Sequence, residues 1–371
     1  MKKVLLLVIV QLFCISFQAQ ENKFNLLIGT YTKSCDSKGV YVYDFDVNTG
    51  DFRFKNATNN KTDNPSFISV SGDNKVVYSA NENGIDSYVS AFRYHALSGK
   101  LDFINKEKTT SAGPCYIIND EKNVITANYS GGSVAVFGKN NDGGVTAVRQ
   151  VAKQFGKGIN SKRQDKSHTH MVQFTPEYKF VLATNLGNDK VYSYLYDPNT
   201  REPLKLKDSI AFKAGSGPRH FTFSKDGKKA YLLQELDGTV SVLKYKNGKL
   251  KLVQETTVLA DGYKEKFTAA DIHISPDEQF LYATNRKEAN DISCFKIVKN
   301  GKLQFVSRTS TLGDGPRNFA IDPTGNFLLV AHQFSNEVVI FKRDKTTGEL
   351  IDTGKKIELC SPVCLVFTAI K

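Results

Sequence analysis

The sequence of 371 residues has no tryptophan and only two methionines, and it lacks several motifs that would assign a chemistry directly. The absence of G-x-S-x-G argues against a serine hydrolase built on a nucleophile elbow. The segment GSGPRH, residues 215–220, lacks the full glycine pattern of a dinucleotide site, and no βαβ unit follows it. Cysteine pairs with the C-x-x-C spacing of structural zinc are missing. We therefore expect neither a cofactor nor a bound metal.

Only one apolar run is long enough to suggest targeting, and it lies at the N-terminus. Lys2 and Lys3 precede an apolar stretch over residues 4–17, and Ala19 offers a small residue for cleavage. This pattern predicts a signal peptide over residues 1–20 and a mature domain over 21–371. The protein is then secreted or periplasmic, with no membrane association after cleavage.

The formal net charge of +12 limits the possible partners. Most lysines lie in turns such as KDGKK and KNGKL, where they keep the surface soluble and blunt exposed strand edges. No basic helix or interleaved aromatic patch is present, so we do not expect nucleic-acid binding. The functional interpretation of the excess positive charge is an anionic small-molecule substrate. We expect a monomer.

The cysteines leave the disulfide pattern open. Besides Cys14 there are five: Cys35, Cys115, Cys294, Cys360 and Cys364. An odd number leaves at least one without an intramolecular partner, although export permits disulfides. Cys360 and Cys364 are four residues apart in an extended segment, too far to bridge each other. Packing as small apolar residues is the expected role.

Internal repetition with a period of about fifty residues is the most informative feature. Six segments begin at residues 64, 113, 168, 217, 269 and 315, and each has short alternating strands separated by Asp-, Gly-, Asn- and Pro-rich turns. Four strands per unit are typical of a propeller blade. The N-terminal NLLIGTYT and GVYVYDFDV and the C-terminal SPVCLVF supply a seventh unit. The predicted fold is an all-β, seven-bladed propeller of four antiparallel strands per blade, closed by its two ends.

Aligning the repeats shows which polar residues meet. The start of the first strand and the end of the second lie side by side at one mouth of the central channel. A first column at that start contains Ser66, Cys115, His170, Arg219, Ala270, Arg317 and Val363, and the next residues form a second column: Phe67, Tyr116, Met171, His220, Asp271, Asn318 and Cys364. A fourth column after the second strand contains Glu82, Tyr129, Leu186, Glu235, Arg286 and Gln333. The variation in the first and fourth columns predicts an asymmetric ligand site.

Two further patterns concern the same mouth. The third column is rich in asparagine: Asn81, Asn128, Asn185, Gln234, Asn285 and His332. Its uniformity predicts a structural role, in which side chains hold loop backbone by hydrogen bonds. Five of the six histidines fall in the aligned blocks: His168, His170, His220, His273 and His332. Their convergence near one axis favours a function for at least one of them.

The blocks GTYT, GPCYI…ANYSGGSVAVF, the HTH segment, GPRH…QE, AADIHISPD…LYATNR and GPRN together resemble the lactonase-type seven-bladed propellers. That family includes propeller-type 6-phosphogluconolactonases and fungal muconate-lactonising enzymes, and the resemblance extends over essentially all of the chain after residue 20. It implies a hydrolase that opens a sugar lactone.

The resemblance also implies site residues. It places a catalytic histidine in the H-x-H block, which is His168 or, by our preference, His170, together with Arg219, Glu235 and Arg286. The usual H-P-H is His-Thr-His here, and the usual Asn-Glu is Gln234-Glu235, which leaves the substrate open. We expect a further set of residues to bind substrate: His168, His220, Asp271, His273, Arg317 and Glu82.

The chemistry of these residue types suits lactone hydrolysis. The arginines can stabilise an oxyanion, or hold a carboxylate or phosphate, and His170 or Glu235 can act as the base. The basic segment KQFGKGINSKRQDK, residues 153–166, either overhangs the mouth or is a solvated, mobile loop. Three alternatives stay open: a metal held by His168 and His170 with His220 or His273, a non-catalytic binding propeller, and a lactonising lyase.

Overall fold

The computed structural model describes residues 23–59 and 62–370, so the predicted signal peptide lies outside the described residues. The strands are β1 (Lys23–Thr30), β2 (Val40–Asp46), β3 (Phe52–Ala57), β4 (Pro65–Val70), β5 (Val76–Asn81), β6 (Tyr88–His95), β7 (Lys100–Lys108), β8 (Pro114–Asn119), β9 (Asn123–Asn128), β10 (Ser133–Lys139), β11 (Val145–Lys153), β12 (Thr169–Phe174), β13 (Phe180–Asn185), β14 (Lys190–Tyr196), β15 (Leu204–Ala211), β16 (Pro218–Phe223), β17 (Lys229–Gln234), β18 (Thr239–Lys246), β19 (Lys249–Thr257), β20 (Phe267–Ile274), β21 (Phe280–Lys287), β22 (Asp291–Ile297), β23 (Leu303–Ser310), β24 (Pro316–Ile321), β25 (Phe327–His332), β26 (Glu337–Arg343), β27 (Leu350–Glu358) and β28 (Pro362–Ala369).

These strands form seven four-stranded antiparallel sheets. Six sheets are consecutive in the chain, from β4–β7 to β24–β27, and the seventh has the order β28-β1-β2-β3. The only helical pieces in the described residues are two 3₁₀ turns, Leu186–Asn188 and Lys299–Gly301. No helix in this part of the chain has the length and apolarity needed to cross a bilayer. The predicted all-β seven-bladed propeller is confirmed.

The core consists of seven apolar clusters, and each lies between two neighbouring blades. The second strand of a blade is buried along its whole length in β5, β9, β13 and β25, because both its edges are paired and both its faces are covered. The fourth strand, for example β19, alternates between exposed and half-buried residues. Each blade therefore depends on two neighbours, and ring closure completes the last interface.

The two chain ends close the ring by strand pairing and by a disulfide. β28 pairs antiparallel with β1, from Phe24 opposite Ala369 to Gly29 opposite Cys364. Cys35 and Cys360 form a disulfide across 325 residues, so our expectation that cysteines serve as apolar packing is wrong for these two. The geometric reason is that the loop after β1 returns to the start of β28, which brings distant residues together. The other three, Cys115, Cys294 and Cys364, are buried and free, as expected.

A β-bulge occurs near the start of every innermost strand. In β16, for instance, Pro218 lies opposite Gln234 but His220 lies opposite Leu233, so Arg219 is the extra residue. The same slip of one residue occurs in the other six blades. The extra residues are those of the first column: Ser66, Cys115, His170, Arg219, Ala270, Arg317 and Val363. Because a bulge re-aims the side chain it carries, this local irregularity turns the column toward the channel.

Candidate active site

Three arginines surround one buried glutamate at the channel mouth. Arg219 Nε donates to Glu235 Oε2 at 2.9 Å, and Arg286 Nη2 lies 3.3 Å from the same oxygen. Arg163 Nη2 donates to the other oxygen, Oε1, at 2.5 Å. The structure thus brings the predicted Arg219, Glu235 and Arg286 together, and it adds Arg163. We call these four residues the guanidinium cluster.

The cluster fixes the ionisation of Glu235. Burial raises the pKa of this carboxyl, since Glu235 is only 2% exposed, but the charges of Arg286, Arg163 and Arg219 outweigh burial and lower it to about 2. A carboxylate with both oxygens occupied by guanidinium groups is a weak proton acceptor. These contacts argue that Glu235 orients the arginines and is not the base.

Backbone carbonyls also accept hydrogen bonds from Arg219 and Arg286. Arg219 Nη1 donates to the carbonyl of Ala270, and Arg286 Nη2 donates to that of Ala269 at 3.2 Å. With Glu235, these contacts involve Nε and Nη1 of Arg219. Arg286 uses Nη2 for both Glu235 and Ala269, and its Nε donates to the carbonyl of Thr268 at 3.4 Å. Each arginine keeps a further nitrogen with which to bind an oxyanion or an anionic group.

Arg163 belongs to the basic segment of residues 153–166, and its bond to Glu235 agrees with the first of the two expectations for this segment, that it overhangs the mouth. The segment is folded: the buried Gln164 donates to the carbonyl of Leu186 at 2.8 Å and to Asp189 Oδ1 at 2.7 Å. Arg163 lies 3.3 Å from Tyr129 Oη as well as bonding Glu235. Sequence reasoning missed Arg163 because it lies outside the repeat. The only available signal was the basic composition of the segment.

His170 lies beside this cluster and is neutral. Its ring centroid is 5.1 Å from that of His220 and 5.5 Å from that of Tyr129. Burial, followed by the positive charges of Arg219 and other nearby groups, holds the pKa of His170 well below its usual value. No described carboxylate bonds this ring, so nothing offsets those effects.

A second polar cluster lies one residue further from the mouth and consists of His220, Asp271, His273 and Asn318. Asp271 Oδ1 accepts from His220 Nδ1 at 2.7 Å, whereas Oδ2 accepts from His273 Nε2 at 2.9 Å and from Asn318 Nδ2 at 2.5 Å. Asn318 in turn accepts from the backbone N–H of Leu365 at 2.7 Å. This histidine–carboxylate cluster connects the innermost strands of four consecutive blades, β16, β20, β24 and β28, around the axis.

Three of the five aligned histidines do not reach the guanidinium cluster. His168 stacks on the far side of Tyr129, and its Nε2 is bonded to Asp165 at 2.9 Å. His273 is deeper in the channel, with 40% of its side chain accessible. His332 occupies the asparagine position of the third column and packs against Gly313. Among residues 23–59 and 62–370, no group of three or more potential ligands is arranged to hold a metal ion.

Glu82 and Arg317 both contact Tyr31, and they come from blades that contribute nothing to the guanidinium cluster. Tyr31 Oη donates to Glu82 Oε2 at 2.7 Å, and the Arg317 guanidinium lies 5.6 Å from the centre of the Tyr31 ring. The charge of Arg317 also contributes to the lowered pKa values of His170 and Arg219. Tyr31, from the GTYT block, is a second mouth residue that the sequence analysis did not single out.

Three residues of the third column hold loop backbone by hydrogen bonds, which is a structural role. Asn81 Nδ2 donates to the carbonyl of Asp63 at 2.8 Å, and Asn185 Oδ1 accepts from the backbone N–H groups of His168 and Gly187, both at 3.0 Å. Asn285 Nδ2 donates to the carbonyl of Val258 at 3.3 Å. These bonds fix the loops that carry the mouth residues, in agreement with the prediction.

The family profile described as "Lactonase, 7-bladed beta-propeller" matches residues 25–367. A 6-phosphogluconolactonase of Bacillus subtilis is 34% identical, over 92% of this chain and 97% of its own length. A 6-phosphogluconolactonase of Formosa agariphila is 35% identical, over 88% of this chain and 94% of its own length.

Solved structures agree with this assignment. A protein from Bacteroides fragilis superposes with a TM-score of 0.90 at 39% identity, over 94% of this chain and 99% of its own. The periplasmic gluconolactonase of Pseudomonas aeruginosa superposes with a TM-score of 0.88 at 34% identity, over 94% of this chain and 100% of its own. The chain belongs to the family of seven-bladed β-propeller lactonases, enzymes that act on carboxylic esters.

Proposed function

We propose that this protein hydrolyses a sugar lactone at the channel mouth. One observation carries the proposal: three guanidinium groups around a single buried carboxylate lie beside neutral histidines at the axis of the ring. This arrangement supplies positive charge for an oxyanion and a proton acceptor within one site. The relatives named as 6-phosphogluconolactonases and as a gluconolactonase support the same reaction.

In the proposed reaction the residues of the site have different roles. Water attacks the lactone carbonyl carbon while a histidine, His170 or the adjacent His220, accepts its proton. Arg219 and Arg286, oriented by Glu235, stabilise the negative charge on the carbonyl oxygen. The bond from the carbonyl carbon to the ring oxygen then breaks, and the histidine returns the proton to that oxygen. The product is an open-chain hydroxy acid.

We further propose that the substrate is anionic. Four guanidinium groups, Arg163, Arg219, Arg286 and Arg317, face two carboxylates at the mouth, Glu235 and Glu82. The excess of positive charge favours a carboxylate or phosphate on the substrate. In this proposal Arg317 and Glu82, which both contact Tyr31, bind the substrate together with the guanidinium cluster. His168 and His273 contribute indirectly, through Tyr129 and Asp271 respectively.

The test is proton release in a pH-stat with a panel of neutral and phosphorylated sugar lactones. We expect protein-dependent hydrolysis of at least one lactone, with kcat/KM higher by about tenfold or more for a phosphorylated substrate than for its neutral counterpart. Because lactones also open spontaneously, the blank contains buffer and substrate without protein. Rates equal to the blank for every lactone in the panel would contradict the proposed activity.

We also propose that the protein is exported. The N-terminal pattern supports a cleaved signal, the disulfide between Cys35 and Cys360 suits an oxidising compartment, and the Pseudomonas relative is periplasmic by name. Export implies a lactone found outside the cytosol. N-terminal sequencing of protein secreted or released from the periplasm is expected to begin near residue 21. A mature chain that retains residues 1–20 would refute the proposal.

A further inference from the structure

Two neutral histidines lie next to the oxyanion-binding arginines, and the structure distinguishes them by what holds their rings. His220 donates through Nδ1 to Asp271 at 2.7 Å, and the pair is almost completely buried. His170 has no described carboxylate partner, and its nearest hydrogen-bonding side-chain atom is Cys115 Sγ, at 3.9 Å from Nδ1. A base that is oriented by a carboxylate through its other ring nitrogen is the arrangement that hydrolytic enzymes use repeatedly.

The second nitrogen of His220 has no partner. Nε2 is buried and makes no hydrogen bond to any of the described residues. Because Nδ1 carries the proton donated to Asp271, Nε2 carries the free lone pair. Proteins satisfy most of their buried polar atoms. Among the described histidines, only His332 of the third column also has buried ring nitrogens without a partner, and it belongs to neither polar cluster. A free basic nitrogen at the axis of the ring therefore points to a ligand.

The direction of Nε2 follows from the geometry of the imidazole. The two ring nitrogens point away from each other, so Nε2 faces away from Asp271. The rings of His170, Tyr116 and Phe67 surround the imidazole, with centroids 5.1, 5.2 and 6.3 Å from that of His220. His220 also directly follows Arg219 in β16, and the charge of Arg219 is one of the causes that lower the pKa of His220. The candidate base, His220, and an arginine that stabilises the oxyanion, Arg219, are thus neighbours in the chain as well as in space.

The surroundings keep His220 unprotonated. Burial is the main effect, and with Arg219 it lowers the pKa of His220 to about 4, although Asp271 partly opposes them. The charged and titratable groups that face this ring are Arg219, Asp271, His273, His170 and Tyr116. At neutral pH the lone pair on Nε2 is therefore available, and Asp271 holds it in place.

We propose that His220, oriented by Asp271, is the catalytic base of the lactonase reaction, and that His170 binds the substrate. This inference rests on the proposed function. In the reaction, a proton passes from the attacking water to Nε2 of His220 as the oxygen–carbon bond forms. The same proton passes to the ring oxygen when the carbon–oxygen bond breaks, so His220 is regenerated. Asp271 acts as a positioning residue and does not exchange a proton.

The variant His220→Asn tests the role of Nε2 selectively. Asparagine places an amide N–H close to the position of Nδ1, so it can keep the bond to Asp271 while it removes Nε2. We expect kcat for a hydrolysed lactone to fall about 100-fold or more, with KM changed less than about threefold. His95→Asn is the matched control, because His95 also pairs with a carboxylate, Asp102 at 3.1 Å, but is half-exposed on β6 and has no part in the proposed site. Its kcat is expected to stay within about threefold of the wild type.

His170→Asn is the direct comparison. We expect this variant mainly to raise KM, since the proposal gives His170 a binding role. A 100-fold loss of kcat in His170→Asn together with near-normal kcat in His220→Asn would overturn the proposal while leaving lactone hydrolysis intact. A wild type without lactonase activity would instead refute the proposed function, and with it this inference.

A measurement on the wild type covers the case in which His220→Asn does not fold. Imidazole nitrogen NMR of ¹⁵N-histidine-labelled protein at pH 7, assigned by comparison with the other histidine variants, reports which nitrogen carries the proton. We expect a neutral ring protonated at Nδ1 for His220. A ring protonated at Nε2, or on both nitrogens, would leave no free lone pair at that position and would overturn the proposal.

Discussion

Arg219→Ala is expected to lower kcat for a hydrolysed lactone by about 10²–10³-fold, which corresponds to about 3–4 kcal/mol of transition-state stabilisation. Arg219 is 1% exposed, and Glu235 and the carbonyl of Ala270 fix its orientation. Because the oxyanion develops only during the reaction, the loss should appear mainly in kcat. Steady-state kinetics in a pH-stat, with the spontaneous rate subtracted, give the comparison.

The control for this prediction is Arg53→Ala, which removes the same type of side chain from the outer rim, where it is 82% exposed. We expect its kcat and KM to match those of the wild type. Circular dichroism and thermal unfolding of both variants establish that they are folded. A folded Arg219→Ala variant with kcat within threefold of the wild type would show that this guanidinium does not stabilise the transition state.

Glu235→Gln is expected to destabilise the protein by about 3–5 kcal/mol at pH 7, because it leaves three guanidinium groups without their shared counter-charge. The same substitution should also abolish most of the activity, since the arginines lose their orientation. Urea unfolding gives the free energy of unfolding. Asp226→Asn is a suitable control, because this exposed carboxylate pairs with the exposed Lys228 in a surface turn. We expect it to cost no more than about 1 kcal/mol.

For Glu235→Gln we also predict how the difference in unfolding free energy from the wild type changes in acid. The pKa of Glu235 is about 2 in the folded protein, compared with an ordinary value of 4.5, so ionisation of this residue stabilises the fold. That contribution is fully present above pH 4.5 and is lost as the pH falls from about 4.5 toward 2. It amounts to about 3 kcal/mol for a shift of this size. The gap in stability between wild type and Glu235→Gln should therefore narrow in acid, and a gap that is constant from pH 7 to pH 3 would contradict this account.

The repeat explains why so much of the fold could be predicted. Each blade repeats the same strand and turn pattern, so the alignment of six segments located the strands, the shared end of the channel and the closing seventh blade. The same alignment brought Arg219, Glu235 and Arg286 together, because strands one and two of adjacent blades meet at the mouth. In a repeat protein, equivalent sequence positions occupy equivalent positions in space. An alignment of the repeats therefore predicts which residues lie close together.

Features that depart from the repeat could not be predicted in this way. Arg163 comes from an insertion with no counterpart in the other blades, and the Cys35–Cys360 disulfide joins two loops outside the alignment. Strand alternation alone would put Arg219 and His220 on opposite faces, and only the bulge between Pro218 and His220 changes that geometry. The sequence also does not show how deep in the channel a side chain lies. His273 is on the expected strand but is too far down the channel to reach the arginines at the mouth.

Where the ligand binds is the central question, because the molecule offers a second concave surface. A groove of about 1150 Å³ lies on the opposite face of the ring, lined by turn residues such as Asp142 and by strand residues such as Tyr78 and Lys139. A crystal structure of the protein with the open-chain hydroxy acid product is the most direct test. We predict that the product carboxylate lies at the channel mouth, within hydrogen-bonding distance of Arg219 and Arg286. A product bound only in the groove on the opposite face would contradict the account.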